Sequence, residues 1–323
     1  LRPFLPALHG PLMVSGFLGT LIGLERAVAI GKLWSYASPL LTGLGTLLVL
    51  IFGPIQLGLI LIVLGSLGLT AVFIFIVYHH NALHTITMAL GAVCWLVGNS
   101  LWLGGWPIFK IVYWWVGFLV LTIVGERLEL SRIRKLNQTS KRLFAVAVDL
   151  FLAGLLLSLI AYEPGIRLAS LGLIAQALWL FRYDIVRFTI RKTGQTRYIA
   201  VNLIIGYCWL LVGGTLGLVY GQLVAGPLYD AWLHTIFLGF VFGMIFAHAM
   251  IIFPGVAGIQ VPFRTGFYGP TILLQVSLLM RVIGDLALLP DVRRWGGLLN
   301  GVAILWFFGL MAVTAVQSRR KSN

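Results

Sequence analysis

Acidic side chains are scarce: the 323-residue chain has nine Asp and Glu, and only 10% of it is charged. Ordinary soluble domains carry about 25% charged residues, so a solvated surface is excluded and catalysis in a water-exposed cleft is argued against. Cysteine is nearly absent as well. Cys94 and Cys208 both lie within apolar runs, which leaves no disulfide framework and no cysteine metal-ligand spacing. No polar stretch is long enough to fold as an extramembrane domain. What fills the chain is apolar: 60% of it, with a mean hydropathy of +1.00. At roughly 20 apolar residues per span, this length holds about a dozen transmembrane helices. The expected fold class is therefore all-α: a polytopic transmembrane helical bundle of about 11–12 helices, a single domain over 1–323 with the lipid bilayer as its solvent.

Apolar windows cut by Gly, Pro and charge predict spans near 5–30, 37–53, 55–80, 81–104, 106–131, 142–162, 165–182, 197–222, 227–256, 267–289 and 294–317. The net charge of +14 would suggest nucleic acid in a soluble protein. Here the bases gather in Arg132–Arg142, Arg182–Arg197 and Ser318–Asn323, which fall on one side of an eleven-span chain. The positive-inside rule accounts for them, so no nucleic-acid partner is expected and the C-terminus is read as cytoplasmic, in an integral membrane protein of a bacterial inner membrane. Leu1 is not an initiator Met, and one further helix ahead of it would make twelve.

An internal echo runs through the spans. Gly16-Phe17-Leu18 with Ile22, Glu25 and Arg26 recurs as Gly117-Phe118-Leu119 with Ile123, Glu126 and Arg127; a fainter copy is Gly239-Phe240, Ile245 and His248. The first, fifth and ninth spans thus correspond, and the reading is a four-helix unit used three times, near 1–105, 106–222 and 227–323.

Six histidines occur, and at membrane depth such a side chain is a functional candidate by default. His234 and His248 are fourteen residues apart in the ninth span. On a regular α-helix that is about 21 Å of rise and about 40° of rotation, which puts both on one face near opposite surfaces. Neutral imidazole is a common axial ligand for haem iron. His9 lies near the outer surface in the first span, as His234 does in the ninth, so this pair is the expected axial pair of one haem b. His84 opens the fourth span at the level of His248, with His79 and His80 in the adjoining hairpin. A second haem between His84 and His248 is geometrically open, but the expectation is a single haem with His248 hydrogen-bonded among the inner charges.

Haem propionates seek basic partners near the membrane surface, and arginine binds carboxylates bidentately. Arg293 and Arg294, in a short outer loop where bases are otherwise rare, are propionate candidates, and Arg281 joins them with Asp285 one turn on. The alternative is a surface pair bonded to Asp291 or to lipid headgroups. Glu25-Arg26 and Glu126-Arg127 are read as a cross-helix ion-pair network, with a proton entrance as the sharper alternative. Asp149 is read as the acid well inside a span, either a proton relay or bonded to a Ser or Thr. The tryptophans, including Trp102, Trp106, Trp114, Trp115, Trp295 and Trp306, are read as mostly interfacial belts.

With its triple four-helix pattern the chain resembles subunit I of the haem-copper oxidases and, more closely in size and in its Gly-rich helices, the NnrS family. If one helix precedes Leu1, the first and ninth spans match the oxidase helices that carry the low-spin haem ligands, which implies His9 and His234. The oxidase twin arginine that holds propionates corresponds to Arg293-Arg294. Two departures stand beside these matches. The positions flanking His234 are Trp232 and Ile236, where the oxidases carry a second histidine, and the fifth and sixth spans lack the copper-ligating histidines. The resemblance thus implies a low-spin haem site without the oxygen-reducing centre, and the NnrS likeness implies a haem protein linked to nitric oxide stress.

Three functions follow as expectations. The first is a b-type haem protein for electron transfer, with a quinol, a cytochrome or another respiratory or nitrogen-oxide-metabolising subunit as partner. The second is an NnrS-like haem protein that responds to or scavenges nitric oxide. The third is a non-haem transporter or structural membrane subunit. Whether the chain is an enzyme is left open by the residues.

Overall fold

The computed structural model describes residues 5–322; the side chains of Leu5, Pro6, Arg134, Ala257, Arg320, Lys321 and Ser322 fall outside that description. The basic cluster read at the C-terminus therefore lies largely outside the described residues. Those residues form helices and connecting turns with no strand among them. Among the described residues ten helices are long and apolar enough to cross a membrane. In chain order they are α1 Ala7–Ile30, α2 Leu33–Phe52, α3 Gln56–His79, α4 Leu83–Leu103, α5 Ile108–Ser131, α7 Tyr162–Tyr183, α8 Gly194–Tyr220, α9 Pro227–Val256, α10 Thr265–Leu286 and α11 Pro290–Arg319. Between α5 and α7 runs α6, Gln138–Ser158. It is not among the ten, because every 18-residue stretch within it includes Lys141, Arg142 and Asp149. The protein is an all-α polytopic bundle, as its hydropathy requires: a bilayer offers the backbone no hydrogen-bond partners, and helices satisfy their own.

The chain divides into two compact units, Leu1–Glu129 and Leu130–Asn323. The threefold repeat rests on the sequence echo alone. In the first unit α2 packs on α1 and α3, and α3 on α4. α5 lies against α4 through the stacked rings of Trp95 and Phe118, 4.8 Å apart. Trp102, Trp114 and Trp115 are buried in this unit, whereas Trp295 and Trp306 in the second unit are exposed. The belt reading thus fails for the first three. The Trp115 indole N–H donates to Asn99 Oδ1 at 2.9 Å, so this ring is packed inside protein with its polar atom satisfied.

α1 is not a uniform α-helix: Leu12–Leu18 is π-helical, between Leu5–Pro11 and Gly19–Ile30. Pro11, with no N–H, closes the first α segment and removes a donor from the regular ladder. Ser15, inside the π segment, donates to Asn99 Oδ1 at 2.6 Å and accepts from Trp95 Nε1 at 3.0 Å. This network of Ser15, Trp95, Asn99 and Trp115 carried no sequence signal.

In the second unit α6 packs on α7, α7 on α8, α8 on α9, and α10 on α11. α6 and α7 approach at their backbones: a Cβ on Gly165 would fall on the Ser158 backbone and 2.8 Å from the Gly154 carbonyl oxygen. α9 repeats the irregularity of α1. Its first segment, Pro227–His234, is α-helical, Thr235–Phe242 is π-helical, and Gly243–Ala257 resumes the α form. A π turn closes i→i+5 bonds, so each residue advances less than the regular ~100°. The eight-residue π segment lies wholly between His234 and His248 and turns His248 off the face that a regular helix assigns it. The shared face of these two histidines is thereby corrected.

Candidate functional site

The site in the second unit is built from the first turns of α9, the last turns of α10 and the first turns of α11. Pro227 opens α9 behind Gly226, whose φ of 85° supplies a left-handed entry that a side chain would strain. Asp230 falls in the first helical turn, where the macrodipole favours an acid, and His234 follows one turn later. The His234 Nδ1 donates to the Asp230 carbonyl oxygen at 2.8 Å and stands 3.5 Å from the Asp230 carboxylate. With Nδ1 turned to that carbonyl, Nε2 points to the opposite side of the ring, the arrangement by which ligating histidines are usually oriented.

The Asp230 carboxylate is held by α10. Arg281 Nε donates to one oxygen at 2.8 Å and Arg281 Nη2 to the other at 3.0 Å, a bidentate pair of side chains only 17% and 19% exposed. From α11, Arg293 Nε lies 3.0 Å from the fully buried Asp285 and its Nη2 3.8 Å from Asp230. The alternative in which the twin arginine pairs with Asp291 is therefore not realised, and Arg281 takes Asp230 across the bundle rather than Asp285 one turn along its own helix. A cavity of about 300 Å³ opens beside the cluster, lined by Arg281, Arg293 and Arg294 with Pro290 and Gly297. The three sequence-predicted arginines thus meet around one cavity. Arg294 makes no ion pair among the described residues. The cluster holds one guanidinium more than it has carboxylates, which suits an anionic ligand.

Sequence reasoning passed over Asp230 and gave Asp285 only a passing mention. The signal for Asp230 was its spacing: four residues before His234, on the same helical face and in the first turn.

His9 belongs to the first unit, on the α segment ahead of the π turn, and is exposed. His84 begins α4, its Nε2 4.0 Å from Glu129 Oε1. His248, half-buried on α9, donates from Nδ1 to the Met244 carbonyl oxygen at 2.9 Å. His79 is exposed, bonded to the Phe75 carbonyl oxygen. The cross-helix ion pair expected of the inner charges is present in the first unit, where Arg26 of α1 meets Glu126 of α5 and lies 3.4 Å from Glu25. Asp149 is exposed on α6. Among the described residues no three His, Cys, Asp or Glu side chains converge as a metal-holding group.

A family model described as "Domain of unknown function (DUF8744)" matches residues 2–316, and the chain belongs to that family. No curated protein and no solved structure matches it.

Proposed function

We propose that this chain of the DUF8744 family is an integral membrane b-type haem protein for electron transfer, with His234 as an axial ligand and the arginine cavity taking haem carboxylates. The observation that carries the reading is convergence on Asp230: its carbonyl orients His234 while its carboxylate holds Arg281 and faces Arg293 at the edge of the cavity. The donor set fits the group. A neutral imidazole would offer Nε2 to haem iron, and Arg294 with the exposed edge of Arg293 suits a carboxylate. Arg281 lines the same cavity while its guanidinium steadies Asp230. When bound, haem b supplies a one-electron iron couple. The chain's own residues then set the imidazole's direction and balance charge. Quinol, a cytochrome or another respiratory subunit is the proposed redox partner.

His9 enters as the sequence expectation for the second axial ligand. The test is a reduced-minus-oxidised absorption spectrum of the purified full chain. His234→Ala should abolish or convert the haem spectrum, and His9→Ala should convert it. A low-spin spectrum unchanged in His234→Ala overturns the proposal.

The same reading carries a topology, with the C-terminus on the cytoplasmic side of a bacterial inner membrane. Lys135, between α5 and α6, and Lys192, between α7 and α8, are both exposed, and they share a side when α6 crosses together with α7, as the eleven-span reading requires. A membrane-impermeant amine reagent should label both from the cytoplasmic side, and labelling from opposite sides contradicts the topology.

A further inference from the structure

The second unit has another cavity, at the opposite end of α10 from the arginine cluster. It measures about 390 Å³, and its walls include Thr193, Arg197, Phe263, Thr265 and Tyr268. It lies where α8 and α10 begin. The wall is firmly seated: Tyr198 is fully buried, packs edge-on against Tyr268 at 5.1 Å and shares a hydrogen bond of 2.9 Å with Thr271.

Its charge is one-sided. The segments 185–198 and 258–268 contain Arg187, Arg191, Lys192, Arg197 and Arg264 and no acidic residue. Arg197 and Arg264 are exposed and make no ion pair among the described residues. An unneutralised guanidinium on a cavity wall, two threonine hydroxyls as further donors and two aromatic rings as an apolar wall suit a ligand with an anionic head beside an apolar body. Basic cavities between transmembrane helices take anionic headgroups for this reason. The uncapped first turn of α8 adds backbone N–H groups at the same place.

We propose that this cavity binds a phosphate-bearing anion through Arg197, Thr193 and Thr265. The phosphate belongs either to an anionic lipid headgroup or to a free phosphate, and the site is independent of the haem proposal.

The experiment uses the purified full chain in phosphatidylcholine nanodiscs doped with phosphatidylglycerol, with retained lipid measured by mass spectrometry. A second arm titrates inorganic phosphate in detergent, followed by phosphorus NMR. Wild type should retain phosphatidylglycerol over phosphatidylcholine, and Arg197→Gln should reduce that preference about fivefold, the weight of one base near a membrane surface. Thr265→Val, also at an exposed position, should weaken it in the same direction, while Arg142→Gln on α6 should not. Phosphate binding that is lost in Arg197→Gln without lipid preference supports the site and assigns it to soluble phosphate. Equal retention of both lipids by wild type with no phosphate binding, or a preference that Arg197→Gln leaves unchanged, overturns the proposal.

Discussion

Gly165→Leu is expected to abolish the pairing of α6 with α7 and with it the yield of monodisperse protein. Small residues let membrane helices approach closely, and here the approach reaches backbone on backbone, with Gly154 on the facing helix. Ordinary overpacking costs about 1–3 kcal/mol because neighbouring side chains can yield. At Gly165 the obstacle is the Ser158 backbone, which cannot rotate away, so the helices must separate. Gly309→Ala on α11 is the control, because a Cβ there meets nothing within 4 Å. Its expected effect on stability is neutral to slightly favourable, given alanine's higher helix propensity. Size-exclusion profiles of the two variants check the contrast. A monodisperse Gly165→Leu protein at wild-type yield would contradict the packing.

Arg281→Met is the second large effect. It removes the bidentate partner of Asp230 and leaves a largely buried carboxylate with Arg293 at 3.8 Å as its remaining guanidinium neighbour. Breaking a buried ion pair from one side costs about 3–5 kcal/mol, since the remaining charge stays desolvated. The residual neighbour puts the expected loss near the lower end, about 3 kcal/mol. Removing both charges, as Asp230→Asn with Arg281→Met, should recover much of the loss. Equilibrium unfolding in mixed micelles measures both, and the coupling in the double-mutant cycle isolates the pair. A single variant within about 0.5 kcal/mol of wild type, the range of ordinary surface substitutions, would show that the pair carries no weight.

The spans were legible because bilayer thickness and backbone self-satisfaction leave a coarse, strong hydropathy pattern: ten of the eleven predicted windows are helices long and apolar enough to cross, and the eleventh, 142–162, is helical but too charged to count among them. α6 was read correctly as a helix even though Lys141, Arg142 and Asp149 make it the most polar of the set. The π segments of α1 and α9 were not legible. Gly, Phe and Leu fill them as they fill α-helical neighbours, and Pro11 was the single local mark. The cost of missing them was concrete, since the common face assigned to His234 and His248 assumed regular rotation through 235–242. Arg293 and Arg294 were recognised because bases in what reads as a short outer loop run against a known bias, although the structure places both in the first turns of α11, and their partners were not foreseen. Arg281 and Asp285 stand in the i,i+4 relation that favours a local pair, yet tertiary packing sends Arg281 to Asp230 and gives Asp285 to Arg293. Trp115 was misjudged for a similar reason: an indole seeks a polar partner, and Asn99 inside the bundle supplies it as well as an interface does.

Haem content of the purified wild-type chain tests the central claim most directly. The protein, expressed with haem available and isolated in mild detergent, should contain about one haem b per chain with a low-spin spectrum, as one bis-histidine site requires. About two haems per chain, with one lost in His248→Ala, would replace the single-site account by one with a haem at each membrane level. A folded, monodisperse protein without haem would contradict the account outright and leave the arginine cavity to another anion.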